Sequence, residues 1–119
     1  MNGPRIDLVI TAARSRYTGD FEWIDDKVAL RVTSDRQSEG FTAVEIKRLA
    51  QAWIRGGGPV FCADEQREGW RDERDYYYWI VIEGIDEFPR GLFVELVLTD
   101  DDEAEPIVSL VNAHPQSAT

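Results

Sequence analysis

Apolar and polar residues follow a helical period in one stretch near the middle of the chain. The spacing i, i+3, i+4, i+7 and i+8 places five apolar side chains on one face: Ile46, Leu49, Ala50, Trp53 and Ile54. Thr42 and Glu45 form a capping-box pattern that begins a helix. Gly56 is suited to a left-handed C-cap, and Pro59 prevents continuation. The pattern predicts an amphipathic helix at about 42–55 that covers a sheet.

Much of the remaining chain alternates apolar and polar residues, which is typical of strands. The predicted strands are residues 6–12, 27–33, 59–62, 76–83, 92–99 and 107–111, with a further short strand at 21–23. We expect the strands at 6–12 and 27–33 to pair antiparallel. The strand at 76–83 is apolar on both faces, so we expect it at the sheet centre with both faces covered.

These elements predict an α+β fold. A mostly antiparallel sheet of about five to six strands would carry one amphipathic helix, at about 42–55, on one face. The length of 119 residues predicts a single domain, 1–119, in which the small, polar residues 112–119 form a loose C-terminal tail.

Composition narrows the chemistry. One Cys and one His exclude an internal disulfide and a Cys/His zinc site, so we expect no metal and no cofactor. Cys62 is interpreted as a small hydrophobic residue. The longest apolar run, residues 76–82, is too short to span a membrane, and Met1 is not followed by an apolar signal segment. We therefore expect a cytoplasmic protein.

The formal net charge of −10 argues against nucleic acid or an anionic membrane as partner. Residues 76–119 hold nine acidic side chains and a single basic one, Arg90. Asp86 and Glu87 fall in one predicted turn and residues 100–105 in the next, so we expect the two groups at opposite ends of the sheet. Such turns either keep a β-rich protein soluble or form an electronegative surface that steers a basic protein.

Trp70 stands within a stretch, 63–75, in which acidic and basic residues alternate. Because acidic residues stand beside each arginine of this stretch, there is no electrostatic attraction for nucleic acid, and a protein interface is favoured over single-stranded nucleic acid. The alternative is that Trp70 folds back over the helix as core. The candidate partner-binding residues are Trp70, Asp86, Glu87, Asp100, Asp101, Asp102 and Glu103.

No catalytic constellation is predicted. The run from Arg55 to Pro59 lacks the GK[ST] ending of a phosphate loop and follows a helix. The acidic run 100–105 lacks the spacing of a calcium loop, and His114 lies in the predicted tail.

Two alternatives to a basic partner stay open. A pocket between helix and sheet, lined by Trp53, Tyr76, Tyr78 and Trp79, would make the chain a small-molecule-binding domain or a small enzyme. An exposed sheet edge would permit a homo-oligomer.

The helical segment from Glu45 to Ile54, reading E-I-K-R-L-A-Q-A-W-I, resembles the E-L-x-x-L-x-x-W-L helix of small bacterial proteins of the WapI type, which resemble immunity proteins of polymorphic toxin systems. That family has no catalytic motif. The resemblance implies a cytosolic, acidic, non-enzymatic protein that binds and blocks a toxin domain.

Overall fold

A computed structural model describes residues 3–34 and 38–116, which contain three α-helices and five β-strands. The helices are α1 Ile6–Arg14, α2 Asp26–Ser34 and α3 Ala43–Arg55. The strands are β1 Phe21–Trp23, β2 Phe61–Asp64, β3 Tyr76–Ile82, β4 Leu92–Asp100 and β5 Ile107–Pro115.

The strands form one sheet in the order β1-β5-β4-β3-β2. The pairs β2–β3, β3–β4 and β4–β5 are antiparallel, whereas β1 runs parallel to β5. The α+β class and the mostly antiparallel sheet are therefore confirmed. The expected single helix is wrong, because two further helices are present.

Helix α3 forms where its cap and apolar period predict it. The Thr42 hydroxyl accepts a hydrogen bond from Glu45 N at 3.1 Å, and Thr42 N donates to Glu45 Oε1 at 2.9 Å. The hydrogen bond from Thr42 N to the Glu45 carboxylate, with the Thr42 hydroxyl as the second cause, lowers the pKa of Glu45. The left-handed residue after the helix is Gly57, at φ +88°, and not Gly56. At Gly58 a Cβ atom would lie 2.3 Å from the Trp53 ring, so the ring would have to move to accept a side chain there.

The strand predicted at residues 6–12 is helix α1. The same residues carry a second pattern, in which Leu8, Val9, Ala12 and Ala13 lie on one helical face, and all four are buried. Asp7 in the first turn and Arg14 in the last turn suit the helix dipole. Arg55 of α3 donates to the carbonyl oxygens of Ala13 and Ser15 and so caps the end of α1.

The strand predicted at residues 27–33 is helix α2, so the expected antiparallel pairing with 6–12 is also wrong. Asp25 Oδ1 accepts a hydrogen bond from Val28 N at 2.8 Å, which satisfies a free donor at the start of the helix. The helix buries Val32 but leaves Leu30 66% exposed. Strand alternation would have turned both side chains inward.

All three helices pack on one face of the sheet. Their buried residues join alternate residues of the strands in one hydrophobic cluster, which includes Val9, Val32, Ile46, Ile54, Tyr78, Ile80, Val94, Leu96, Val108 and Leu110. Odd-numbered residues of β3 and the first half of β4 point to the opposite face, which no helix covers among the described residues.

Two smaller expectations change. The middle strand is β4, whereas β3 lies one place from the edge and does not have both faces covered. The predicted tail begins too early, because β5 continues to Pro115 and pairs with β4 as far as Leu92. Residues 117–119 of that tail lie outside the described residues.

A matched pair of substitutions tests the assignment of α2. We expect Val32→Gln to lower the free energy of unfolding by about 2 kcal/mol, because an amide replaces a buried methyl group. Leu30→Gln should change it by about 0.5 kcal/mol or less, because this side chain is exposed. Urea denaturation measures both. Equal losses would contradict the helix and favour the strand.

Candidate functional site

The face of the sheet opposite the helices, called the open face here, carries two cross-strand rows near the β3–β4 turn. The row next to the turn consists of Val81, Phe93 and His114. The next row consists of Phe61, Trp79, Glu95 and Asn112. Strand alternation directs these side chains away from the core.

Four side chains of these rows form the aromatic patch: Phe61, Trp79, Phe93 and His114. The Phe61 and Trp79 rings stack with centroids 5.6 Å apart, and the Phe93 and His114 rings stack at 4.7 Å. Phe61 is 46% exposed, and His114 is also exposed. Apolar surface is therefore presented to solvent on a rigid sheet.

The connection between β2 and β3, residues 65–75, is called the strap here, and it contacts the open face at Tyr77 and Glu95. Its backbone turns are hydrogen-bonded, with Trp70 N and Arg71 N donating to Arg67 O and Glu73 N donating to Trp70 O. A hydrogen bond from Glu65 N to Asp75 O closes its base at 2.8 Å.

Arg67 fastens the strap to the sheet. Its guanidinium donates to both carboxylate oxygens of Glu65, at 2.8 and 2.9 Å, and to both of Glu95, at 3.1 and 2.7 Å. The same group lies over the Tyr77 ring at 4.6 Å. Bidentate pairing fixes the position of the guanidinium, and the aromatic ring adds a cation–π contact.

Glu65 is the most buried carboxylate of this network. Its side chain is fully buried, and it also accepts a hydrogen bond from Arg74 Nε at 2.9 Å. The hydrogen bond from Arg67, together with Arg74, outweighs the effect of burial and lowers the pKa of Glu65 to about 2. The two carboxylates in turn raise the pKa of Arg67. Glu65 and Arg67 are therefore both ionised throughout the neutral range.

Trp70 does not fold over α3. It lies on the strap, 44% exposed, with the Arg74 guanidinium 4.7 Å from its ring centroid. The interpretation of Trp70 as core of the helical face is therefore wrong.

The acidic candidates are not gathered into one surface. Asp86 and Glu87 lie in the β3–β4 turn, whereas Asp100 to Glu103 lie at the other end of β4. Part of the second group is engaged locally, since Asp100 Oδ1 accepts from Asp102 N and Glu103 pairs with Arg5 at 3.1 Å. Only the first group borders the aromatic patch.

The four residues of the alternative pocket do not share a site. Tyr78 lies in the core under the helices, where its hydroxyl accepts a hydrogen bond from Arg5 N at 2.9 Å. Burial raises the pKa of Tyr78. Trp79 points to the open face, because successive residues of a strand alternate. Trp53 packs on the turn after α3 and donates to Pro59 O. Tyr76 and Tyr78 do line a groove of about 480 Å³ with Asp100 and Asp101.

Neither a metal centre nor a membrane span is found in residues 3–34 and 38–116. No three His, Cys, Asp or Glu side chains there are placed to hold an ion. No helix in these ranges is long and apolar enough to cross a bilayer. His114 lies in β5 against Phe93, not in a tail as predicted.

Comparison with known proteins found no match: no protein-family model, no curated protein and no solved structure is significantly similar to this chain. The arguments for function therefore come from the geometry of the open face.

Sequence reasoning missed Phe61, Phe93 and the Arg67 network. Alternation in β3 and β4 could have placed Trp79 and Phe93 on one face. Arg67 and Glu95 are 28 positions apart in the sequence, so no local pattern predicts their pairing.

Glu65→Gln should weaken the fold at neutral pH by about 1 to 3 kcal/mol, because charged hydrogen bonds to Arg67 and Arg74 are lost. The pKa of Glu65 is lower in the folded chain than its ordinary value of 4.5, so its contribution is present above about pH 4.5. It is lost as the pH falls towards 2.

Urea denaturation between pH 2.5 and 7 measures this difference. Wild type and Glu65→Gln should differ most at pH 7 and converge as the pH falls. Glu68→Gln, an exposed position on the same strap, is the control and should match wild type throughout. A difference that does not vary with pH would contradict the ionised network.

Proposed function

We propose that this chain is a non-catalytic protein-binding domain that holds a basic protein on the aromatic patch. The observation that carries the proposal is the aromatic patch on the open face, where Phe61 and His114 are exposed and Trp79 and Phe93 are half-buried. Trp and other aromatic residues on a rigid surface are common centres of protein interfaces, because they bury much area at little entropic cost.

Charge complementarity supports a basic partner. The formal net charge is −10, and Arg90 is the only basic residue among residues 76–119. Glu83, Asp86 and Glu87 follow β3 at the end of the sheet that carries the Val81–Phe93–His114 row, and all three are exposed. Carboxylates at the rim of an aromatic centre would attract lysine and arginine side chains and speed association.

We further propose that binding inhibits the partner. This step rests on the resemblance of α3 to the helix of WapI-type immunity proteins, which implies a toxin domain as target. Pairing of two copies of this chain through the same patch is the competing outcome, and it predicts a dimer in light scattering with no basic protein bound.

Substitution of the aromatic patch should abolish capture of the partner. Tagged wild type is incubated with native lysate, washed at low and then high salt, and the bound proteins are identified by mass spectrometry. We expect a basic protein that Trp79→Ser loses and that the control Leu30→Ser, at an exposed apolar position on α2, retains. With the purified partner, Trp79→Ser should weaken binding by about 30-fold, the size of a central interface residue. Equal retention by both variants would contradict the proposal.

Charge neutralisation separates steering from contact. In biolayer interferometry with that partner, Asp86→Asn combined with Glu87→Gln should slow association several-fold and flatten its dependence on salt. Asp101→Asn combined with Asp102→Asn, at the opposite end of β4, should have a smaller effect. If Asp101→Asn combined with Asp102→Asn slows association more than the first pair does, the partner does not approach the patch from the β3–β4 turn.

A further inference from the structure

A cleft separates helix α2 from the strap at the edge of β5. It encloses about 270 Å³, and its lining includes Ile24, Val28, Arg31, Trp70, Arg74 and Asn112. Strand β1 pairs with β5 only from Val108 to Leu110. Helix α2 also packs against β5, and it lies beside the part of β5 that follows Leu110. The cleft therefore exists because the edge strand β1 is short, and its two walls are α2 and the strap.

The guanidinium groups of the cleft are not equally engaged. Arg67 directs its nitrogen atoms at Glu65 and Glu95. Arg31 donates only from Nη2, to Val111 O at 3.2 Å, and Arg74 donates only from Nε, to Glu65, among the described residues. Two guanidinium groups, from the α2 wall and the strap wall, thus retain N–H donors within one cleft.

The carboxylates that face these groups are already bonded. Both oxygens of Glu95 accept from Arg67, and Asp25 Oδ1 accepts from the backbone of α2. The side-chain oxygen of Asn112, Oδ1, accepts a hydrogen bond from Ala113 N. The side-chain amide nitrogen of Asn112 is therefore the group left to donate. Donors therefore outnumber available acceptors, although the whole chain is acidic.

The lining also has apolar members. Ile24 and Trp70 are 40% and 44% exposed, and Val28 is half-buried. Trp70 is held in place by Arg74, whose guanidinium covers its ring at 4.7 Å. A fixed, half-exposed indole beside N–H donors suits a ligand with a planar apolar body and an anionic head.

We propose that this cleft binds a small aromatic carboxylate. Arg31 and Arg74 meet the carboxylate, whose planar geometry matches the fork of a guanidinium. Trp70, Ile24 and Val28 contact the ring system. The volume of about 270 Å³ admits a ligand the size of a bicyclic aromatic acid, and it lies just below the range of roughly 300 to 1,000 Å³ that is typical of pockets for drug-sized ligands. The site is distinct from the aromatic patch and independent of the partner proposed for it.

Indole-3-carboxylate is the probe, with the neutral indole-3-carboxamide as its matched control. The two are titrated into full-length protein labelled with ¹⁵N, and the side-chain resonances of Trp70 and of the other three tryptophans are followed by NMR. We expect the carboxylate to shift the Trp70 indole N–H resonance with a Kd in the millimolar range or tighter, and the carboxamide to bind at least 10-fold more weakly.

Variants locate the site. Arg31→Gln and Trp70→Leu should each weaken binding of the carboxylate at least 10-fold, and for Trp70→Leu, which lacks the indole, the backbone amide resonances of α2 report binding. Arg71→Gln, at an exposed position of the strap outside the cleft, should change the affinity less than 2-fold. Denaturation curves show whether each variant is folded. If one of the two cleft variants does not fold, the other one tests the proposal. Equal binding of carboxylate and carboxamide, absence of any shift at Trp70, or unchanged affinity in a folded cleft variant would overturn the proposal.

Discussion

The open face depends on the bridge that Arg67 makes between Glu65 of the strap and Glu95 of the central strand. All three helices pack on the other face of the sheet, so nothing in the helical layer covers β3 and β4 on this side. Two buried carboxylates would destabilise each other if no cation lay between them. Arg67 supplies that cation, stacks on Tyr77 and holds the strap against this face.

The two proposed sites follow from where the strap ends. Its Arg67 contacts Tyr77 and Glu95, and the aromatic patch of Phe61, Trp79, Phe93 and His114 lies beside these contacts on the same face. On its far side the strap stops short of α2, which leaves the cleft between Trp70 and Arg31. One segment therefore determines which parts of the face can meet a large partner and which can enclose only a small ligand.

The sequence predicted α3 and the strands β3 and β4 correctly, because their caps, periods and β-branched residues agree with one another. It failed at α1 and α2, where alternation and helical spacing coincide over nine residues. The Asp25 cap and the adjacent pair Ala12 and Ala13 favour a helix. Packing of the apolar helical faces on the sheet then stabilises helix over strand in both segments. The candidate site was predicted only in part, because a bridge such as Arg67 to Glu95 depends on tertiary contacts that no local pattern specifies.

Amide hydrogen exchange of wild type and Arg67→Leu tests the central claim most directly. The account predicts that residues 65–75 are protected in wild type and exchange at least 10-fold faster in Arg67→Leu, while α1 and α3 on the opposite face keep their protection. Equally slow exchange of the strap in both proteins would contradict the account, because the strap would then be held by something other than the Arg67 bridge.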